Sequence, residues 1–345
     1  MLLPHLHRIA ARENLSSEDA RQAMLAILNG EATTPQIAAF LAALRTKGET
    51  AEELLGFARA MREKSLSVDA GLSSEPLLDT CGTGGDGGST FNISTIAAFV
   101  AAGAGVRVAK HGNRSLSSAC GSADLLEALG IKVSIPAEDA ARAIREVGIG
   151  FLFAPLFHPA MKHAQAARLE VKMRTVFNLL GPLTNPAGAT HQLIGAPSLA
   201  AAELMAQALA GFTPERAFVV SGADGLDEIT TTGPTSVFEI RGSHLQQFEW
   251  RPSDFGVVPA SAADLAGGDR AANLDIANAI LGGQHGPRRD IVLVNAAAAL
   301  LAAGAAANLL EAMERAAWSI DSGAARHKVQ ALAAFVSSLA PETRD

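Results

Sequence analysis

The period of the apolar positions changes near residue 72, and that change divides the chain. Over the first 65 residues, apolar side chains recur at helical spacing: Met24, Leu25, Ile27 and Leu28; Ile37, Phe40, Leu41 and Leu44; Leu54, Leu55, Phe57 and Met61. Each group falls on one face of a helix. Start signals precede them: Ser16 with Asp19 and Thr50 with Glu53 read as capping boxes, and Thr34-Pro35 as an N-cap followed by a first-turn proline. Three helices are predicted, with more apolar surface than a three-helix layer hides. From residue 76 onward short apolar runs alternate with helical stretches: Leu77 to Asp79, Val106 to Ala109, Ile131 to Ile135, Phe151 to Ala154, Leu193 to Ala196 and Ala217 to Ser221. That rhythm predicts a mainly parallel sheet covered by helices. Two β-like runs around Gly233-Pro234, within Thr230 to Gly242, predict an antiparallel edge. The expected fold class is α/β: a small N-terminal all-helical domain over 1–72 and a larger α/β domain over 73–345 with a mainly parallel central sheet. Ser67 to Glu75 is the expected hinge.

Between Asp79 and Gly130 the sequence stacks three polar, glycine-rich turns between apolar elements. Gly82, Gly84, Gly85, Gly87 and Gly88 leave room for a ligand to approach the backbone, and they tolerate positive φ, so successive amides can converge on one anion. Lys110 and Arg114 add positive charge nearby. Gly82-x-Gly84-x-x-Gly87 matches the dinucleotide fingerprint in form, but such a site wants an acid about 20 residues on, after the second strand. Here that strand ends in Lys110 and His111, which suit a phosphorylated sugar better. No Gly-Lys-Ser/Thr follows the glycines, so the P-loop pattern fails as well.

Ser94 and Thr95 fall where a helix begins, with hydroxyls and first-turn amides facing the phosphate cage; taken alone, Ser94 reads equally as an N-cap. Asp227 and Glu228 follow Gly225, just beyond a predicted strand. Adjacent acids are commonly a solvated turn. Mg²⁺, however, takes hard oxygens from one or two carboxylates plus substrate phosphate, and a loop beyond a strand's C-terminal end is where such a site belongs.

Composition narrows the partners. Of 345 residues, 48% are apolar and 18% charged, which is ample for a buried core. The formal net charge is -7 with no long basic run, which argues against nucleic acid or an anionic membrane as partner. Cys81 and Cys120 form neither a metal-spaced pair nor a disulfide framework and read as buried free thiols. The N-terminal stretch lacks the pattern of a signal peptide, and the Ala-rich run Ala296 to Ala307 reads as a buried helix, so a cytoplasmic protein is expected.

GTGGD (Gly82 to Asp86), NIST (Asn92 to Thr95), KHGNRS (Lys110 to Ser115), GSADLLEALG (Gly121 to Gly130), HPAMKH (His158 to His163), RTVFNLLGPLTNPA (Arg174 to Ala187) and DGLDE (Asp224 to Glu228) occur in this order. GGDRAAN (Gly267 to Asn273), GPRRD (Gly286 to Asp290) and IDSGAA (Ile320 to Ala325) extend the pattern over nearly the whole chain. It resembles the anthranilate phosphoribosyltransferase family. Ser221, Ala119-Cys120 and Lys172 depart from the commonest family pattern, with Lys172 at a position that is often glycine.

The resemblance implies transfer of the phosphoribosyl group of 5-phosphoribosyl 1-pyrophosphate (PRPP) to the amine of anthranilate, a step of tryptophan biosynthesis, with Mg²⁺ as cofactor and two ions per subunit. It implies PRPP contacts from Gly82, Gly85, Asp86, Thr90, Asn92, Ser94, Thr95, Lys110, Asn113, Arg114, Ser117, Ser118 and Ser122. For anthranilate it implies Gly82, His111, Asn113, His158, Arg168 and Pro182, and for the metal Ser94, Asp227 and Glu228. The Arg168 guanidinium offers a donor fork complementary to a carboxylate. It further implies that the N-terminal helices pack on a segment near 165–180 and form a homodimer contact. No acid-base dyad is visible, and a departure of pyrophosphate with oxocarbenium character needs none. A pyrimidine nucleoside phosphorylase would need a KHSTGG-type turn where this chain has CGTGGD, and a noncatalytic nucleic-acid-binding relative fits neither the acidic charge nor the Asp227-Glu228 pair.

Overall fold

The computed structural model describes residues 1–72, 75–84, 90–114 and 119–339. Gly85, Asp86, Ser117 and Ser118 lie outside the described residues. Four helices open the chain: α1 (Leu3–Ala10), α2 (Ser17–Leu28), α3 (Thr34–Lys47) and α4 (Ala51–Glu63). The first of them was not foreseen, because polar His5, His7 and Arg8 interrupt its short apolar stripe. Thr33, one residue earlier than expected, is the N-cap of α3, and its amide donates to the Gln36 side chain at 3.1 Å. Glu53 does more than close the α4 capping box. Fully buried, it accepts hydrogen bonds from the Leu15 and Thr50 amides and from Lys47 Nζ, each at 2.9 Å, so its charge is answered on every side.

The α/β part follows as β1 (Leu77–Gly82), α5 (Ile93–Gly103), β2 (Arg107–Gly112), α6 (Ser122–Ala128), α7 (Ala137–Glu146), β3 (Ile149–Phe153), α8 (Ala154–Phe157), α9 (Lys162–Val171), α10 (Phe177–Leu180), β4 (His191–Gly195), α11 (Leu199–Ala210) and β5 (Arg216–Gly222). It ends with β6 (Thr235–Arg241), β7 (His244–Trp250), α12 (Arg270–Leu281), α13 (Pro287–Ala302), α14 (Leu309–Asp321) and α15 (Ala324–Ser338). The strands form one sheet in the order β3-β2-β1-β4-β5-β6-β7, parallel through β5 and antiparallel beyond. The expected antiparallel edge is present but shifted. It starts at Thr235 because the Thr230 and Thr232 hydroxyls are bound to Asp224, and its second strand lies past Gly242. Ile131 to Ile135 is not a strand. Ile131, Val133 and Ile135 are buried in alternation, which explains the β-like pattern, yet the place beside β2 is taken by β3.

Side chains alternate across the sheet into two cores. Along β5, Phe218 and Val220 enter the core built with α5 and α13, whereas Ala217 and Val219 enter a second core. That second core holds Met24, Ile27, Ile37, Phe40, Leu44, Leu54 and Phe57 of the N-terminal helices together with residues of α9 and α11. The surplus apolar surface read from the sequence is therefore largely hidden within the chain, against α9 and α11. The expected hinge is pinned at its start: the Leu66 amide donates to the Phe157 carbonyl and the Val68 amide to that of Pro186, with Val68 buried. Among the described residues no helix is long and apolar enough to cross a membrane.

Helix α9 ends on Lys172 in the left-handed conformation, φ 46° and ψ 37°. A side chain there costs about 1–2 kcal/mol, part of which glycine forfeits through the freedom of the unfolded chain. Lys172→Gly is expected to raise stability by roughly 0.5–1 kcal/mol, read as a higher denaturant midpoint with unchanged slope. A lower midpoint would mean that the lysine side chain makes a stabilising contact outweighing the backbone cost.

Candidate active site

In a doubly wound sheet the crevice at the reversal of strand order lies beyond the strands' C-terminal ends, here between β1 and β4. Gly82 and Gly195 are register partners at those ends. A Cβ on Gly195 would stand 1.6 Å from the Asp227 carbonyl oxygen, and one on Gly82 2.7 Å from Asp227 Oδ2. The loop after β5 thus folds back over this glycine pair. The sequence reading gave Gly82 to both PRPP and anthranilate; the structure adds the passage of an acid.

Asp227 is buried, and its Oδ2 accepts hydrogen bonds from the Gly84 amide at 2.7 Å and the Thr83 hydroxyl at 3.3 Å. Glu228 Oε1 accepts from the Ser94 amide at 3.1 Å, and the Ser94 hydroxyl also bonds to this carboxylate. Burial, and then the neighbouring Asp227, push the Glu228 carboxyl up to about 8, against the pull of Lys110. Lys110 is itself buried, its ammonium donating to the Thr80 carbonyl. Its charge also favours ionisation of Asp79, whose pKa burial raises to about 6.

Asp79 sits behind the site as an anchor. Its Oδ1 accepts from the His111 amide at 3.1 Å and its Oδ2 from Asn185 Nδ2 at 2.7 Å; that Nδ2 also donates to the Ala109 carbonyl at 2.8 Å. His111 Nδ1 bonds to the Gly181 carbonyl at 3.1 Å, which assigns its proton to Nδ1 and leaves Nε2 an acceptor, buried and without a partner. His158 repeats the arrangement: its ring bonds to the Thr184 carbonyl, Nε2 is unpartnered, and the two rings lie 5.1 Å apart. Burial lowers both imidazoles, to about 3 for His111 and about 4 for His158, so both are neutral at physiological pH. The other carbonyls of this turn are answered too. Gln192 Nε2 donates to Pro182 at 2.9 Å and Arg62 Nε to Leu183 at 2.7 Å. Arg62 comes from α4, its guanidinium 3.7 Å from the Phe212 ring centroid, and burial lowers it to about 10.

A cleft of about 300 Å³ brings together Gly82, Thr90, Asn92, Ser94, Thr95, Lys110, His111, Asn113, Arg114, Ser122, Arg168, Pro182, Asp227 and Glu228. His158 stands behind its wall, against His111. Ser94 is the second residue of α5 rather than its N-cap. Asn92 holds that place, with its Nδ2 on the Cys120 carbonyl and its Oδ1 accepting from Asn273. Arg114 is paired with Asp124 at 2.9 Å and Glu127 at 2.6 Å, so in this state it braces α6. Arg168 lies 5.1 Å from the Phe177 ring centroid, burial lowers its pKa, and no acid pairs with it among the described residues. Phe177 and Asn178 also line the cleft, and Asp79, Asn185 and Gly195 support it; neither period nor charge in the sequence singled them out. Cys81 and Cys120 are buried free thiols, as expected.

Residues 3–65 match the helical bundle domain of a glycosyl transferase family, and residues 74–326 match that family's a/b domain. An anthranilate phosphoribosyltransferase of Solibacter usitatus is 64% identical over 98% of this chain and 99% of its own length. That of Moorella thermoacetica is 54% identical over 99% and 100%. The Thermus thermophilus enzyme superposes with a TM-score of 0.91 at 41% identity, covering 96% of this chain and 99% of that one. The Saccharomyces cerevisiae enzyme in complex with PRPP and Mg gives 0.90 at 32% identity, with 98% of each chain covered. The helical bundle, the reversal-point cleft and these likenesses coincide over almost the full length, and the chain belongs to the anthranilate phosphoribosyltransferase family.

Proposed function

We propose that the cleft transfers the phosphoribosyl group of PRPP to the amine of anthranilate, releasing pyrophosphate and N-(5-phosphoribosyl)anthranilate. The observation that carries this reading is the pairing, in one cleft, of two adjacent acids, Asp227 buried and Glu228 half-buried, with an arginine that has no acid partner among the described residues. The solved Saccharomyces cerevisiae relatives, in complex with PRPP and Mg and with 4-fluoroanthranilate, support both substrates.

Asp227 and Glu228 fit Mg²⁺: they offer hard oxygens, and the raised pKa of Glu228 marks a place short of positive charge. When bound, the ion would neutralise charge gathering on the departing pyrophosphate. We assign it to Ser94, Asp227 and Glu228, with two ions per subunit. PRPP falls to Gly82, Gly85, Asp86, Thr90, Asn92, Ser94, Thr95, Lys110, Asn113, Arg114, Ser117, Ser118 and Ser122. The first turn of α5 borders the cleft through Ser94 and Thr95, where a helix N-terminus favours an anion. On the acceptor side Arg168 takes the anthranilate carboxylate, beside Asn113 and Pro182. The unpartnered Nε2 of His111, backed by His158, offers an acceptor for an amine hydrogen. Positioning then does the chemistry: the amine is held behind C1 while amides and charge meet the leaving group.

The division at 72 and 73 is supported by the packing of the segment near 165–180 on the N-terminal helices, since α9 contacts both α2 and α3. A cytoplasmic homodimer is the state we assign. Leu3 on α1 and Leu169 and Met173 at the end of α9 are exposed apolar side chains on elements flanking α3, and they support a contact there. Sedimentation should give a dimer at micromolar concentration, weakened by Leu169→Glu; a fully active monomer would remove this contact from the reading.

The test of the transfer is loss of anthranilate fluorescence in the presence of PRPP and Mg²⁺. Arg168→Ala is expected to raise the anthranilate KM by roughly 10- to 150-fold, the equivalent of about 1.5–3 kcal/mol of charge-assisted hydrogen bonding, with little change for PRPP. Arg168→Lys should recover only part, because an ammonium lacks the planar fork. Equal weakening toward both substrates would move Arg168 out of the acceptor site.

Glu228 also sets a pH dependence. Folded, it ionises near 8; unfolded, near 4.5, so between those values the folded chain holds the extra proton. Metal-free stability should therefore fall as pH rises through that window. Thermal midpoints measured in chelator should decline from about pH 4.5 to 8, and Glu228→Gln should flatten the decline. A parent profile already flat would show that Glu228 is ionised without penalty.

A further inference from the structure

The loop that carries the two acids is fastened at both ends by side chains that do not line the cleft. At its outer end Asp224 Oδ2 accepts hydrogen bonds from the Thr230 and Thr232 hydroxyls, each at 2.6 Å, and Oδ1 accepts from the Leu226 amide at 3.1 Å. At its inner end stands Asn295, fully buried in the middle of α13. Asn295 Oδ1 accepts the Ile229 amide at 2.9 Å, and Nδ2 donates to the Ile229 carbonyl at 2.9 Å and to the Ile291 carbonyl at 2.9 Å. One side-chain amide thus answers both backbone groups of a single residue, as a neighbouring strand would. That residue directly follows Glu228.

The surroundings make this placement informative. Val292, Val294, Ala296 and Ala298 on the same helix are fully buried, and an amide among them would cost free energy if left unpaired. An apolar residue would suit the helix better, so the amide's use lies in what it holds. The acids, for their part, sit side by side, Asp227 buried and Glu228 half-buried, and repel each other when both are ionised; a loose loop would relieve both burdens by turning them outward. Coupling the loop to a rigid helix removes that escape.

We infer that Asn295 and Asp224 are positioning residues for the cation: by fixing the two ends of the acid loop they hold Asp227 and Glu228 converged before any ion arrives. This rests on the reading that those two carboxylates are the cation's ligands. Neighbours of metal ligands commonly carry a 10- to 100-fold share of metal affinity, and here the neighbour acts through the backbone.

The test is binding without turnover: Mn²⁺ titrated into the full-length protein with pyrophosphate present, free ion read by electron paramagnetic resonance. Asn295→Ala and Asp224→Ala are each expected to weaken Mn²⁺ by about 10- to 100-fold. In activity assays kcat should recover toward the parent value at high Mg²⁺, with the anthranilate KM little changed. A purely structural role would lower thermal stability and leave the Mn²⁺ isotherm in place, and that result overturns the inference. Should Asn295→Ala fail to fold, Asp224→Ala, at an exposed position, decides alone, and an unchanged isotherm there counts against it. The doubly substituted Asp227→Asn, Glu228→Gln protein separates the two levels. If it still binds Mn²⁺ like the parent, the ligand assignment itself fails; if it does not bind while the positioning variants do, only the positioning inference falls.

Discussion

Two adjacent carboxylates, Asp227 buried and Glu228 half-buried, held above the ends of two adjacent strands, set the terms for the rest of the site. Neither can be placed there without compensation, because a buried charge beside another of the same sign is driven toward protonation. The surrounding chemistry reads as answers to that cost. Glycines at the ends of β1 and β4 make room, amides from the glycine turn and from α5 donate, and Lys110 contributes a buried positive charge. What remains unanswered is net positive charge, which a divalent cation at these acids would supply.

The architecture serves this placement. Strand order reverses between β1 and β4, so the turns that follow the strands diverge and leave a crevice that the loops after β1, β2 and β5 share. One sheet face is closed by α5 and the C-terminal helices; the other is closed by the N-terminal bundle with α9 and α11. The bundle is therefore part of the catalytic unit's core rather than an appendage, and Arg62 carries its influence to the cleft-lining turn through the Leu183 carbonyl.

Much of this was legible in the sequence because the determining signals are local. Capping at Ser16 and Thr50, the helical spacing of apolar residues, and the position of Asp227-Glu228 beyond a strand each depend on a few neighbouring residues. What was not legible depends on partners far along the chain. Ile131 to Ile135 alternates like a strand, but pairing is decided by which segment reaches β2 first in space, and that is β3. Gly195 looks like an ordinary strand-end glycine until Asp227 is laid across it, and Asn295 looks like an interruption in an alanine-rich helix until Ile229 is seen against it. The apolar surplus of the N-terminal helices was read correctly as a need for cover, but the sequence could not say that α9 and α11 of the same chain supply it.

The turn Gly181–Thr184, which lines the cleft with Gly181 and Pro182, has a consequence for redesign. Its carbonyls are taken by His111, Gln192, Arg62 and His158, side chains from four separate stretches of the chain. Inserting or deleting one residue there would break register with several of these donors at once, each orphaned buried group costing about 1–3 kcal/mol. Changes of loop length, usually the cheap way to vary a binding site, are closed at this wall. Variation in the shape of the cleft has to come instead through single side chains that line it, such as Phe177 and Asn178, whose exchange leaves the backbone scaffold intact.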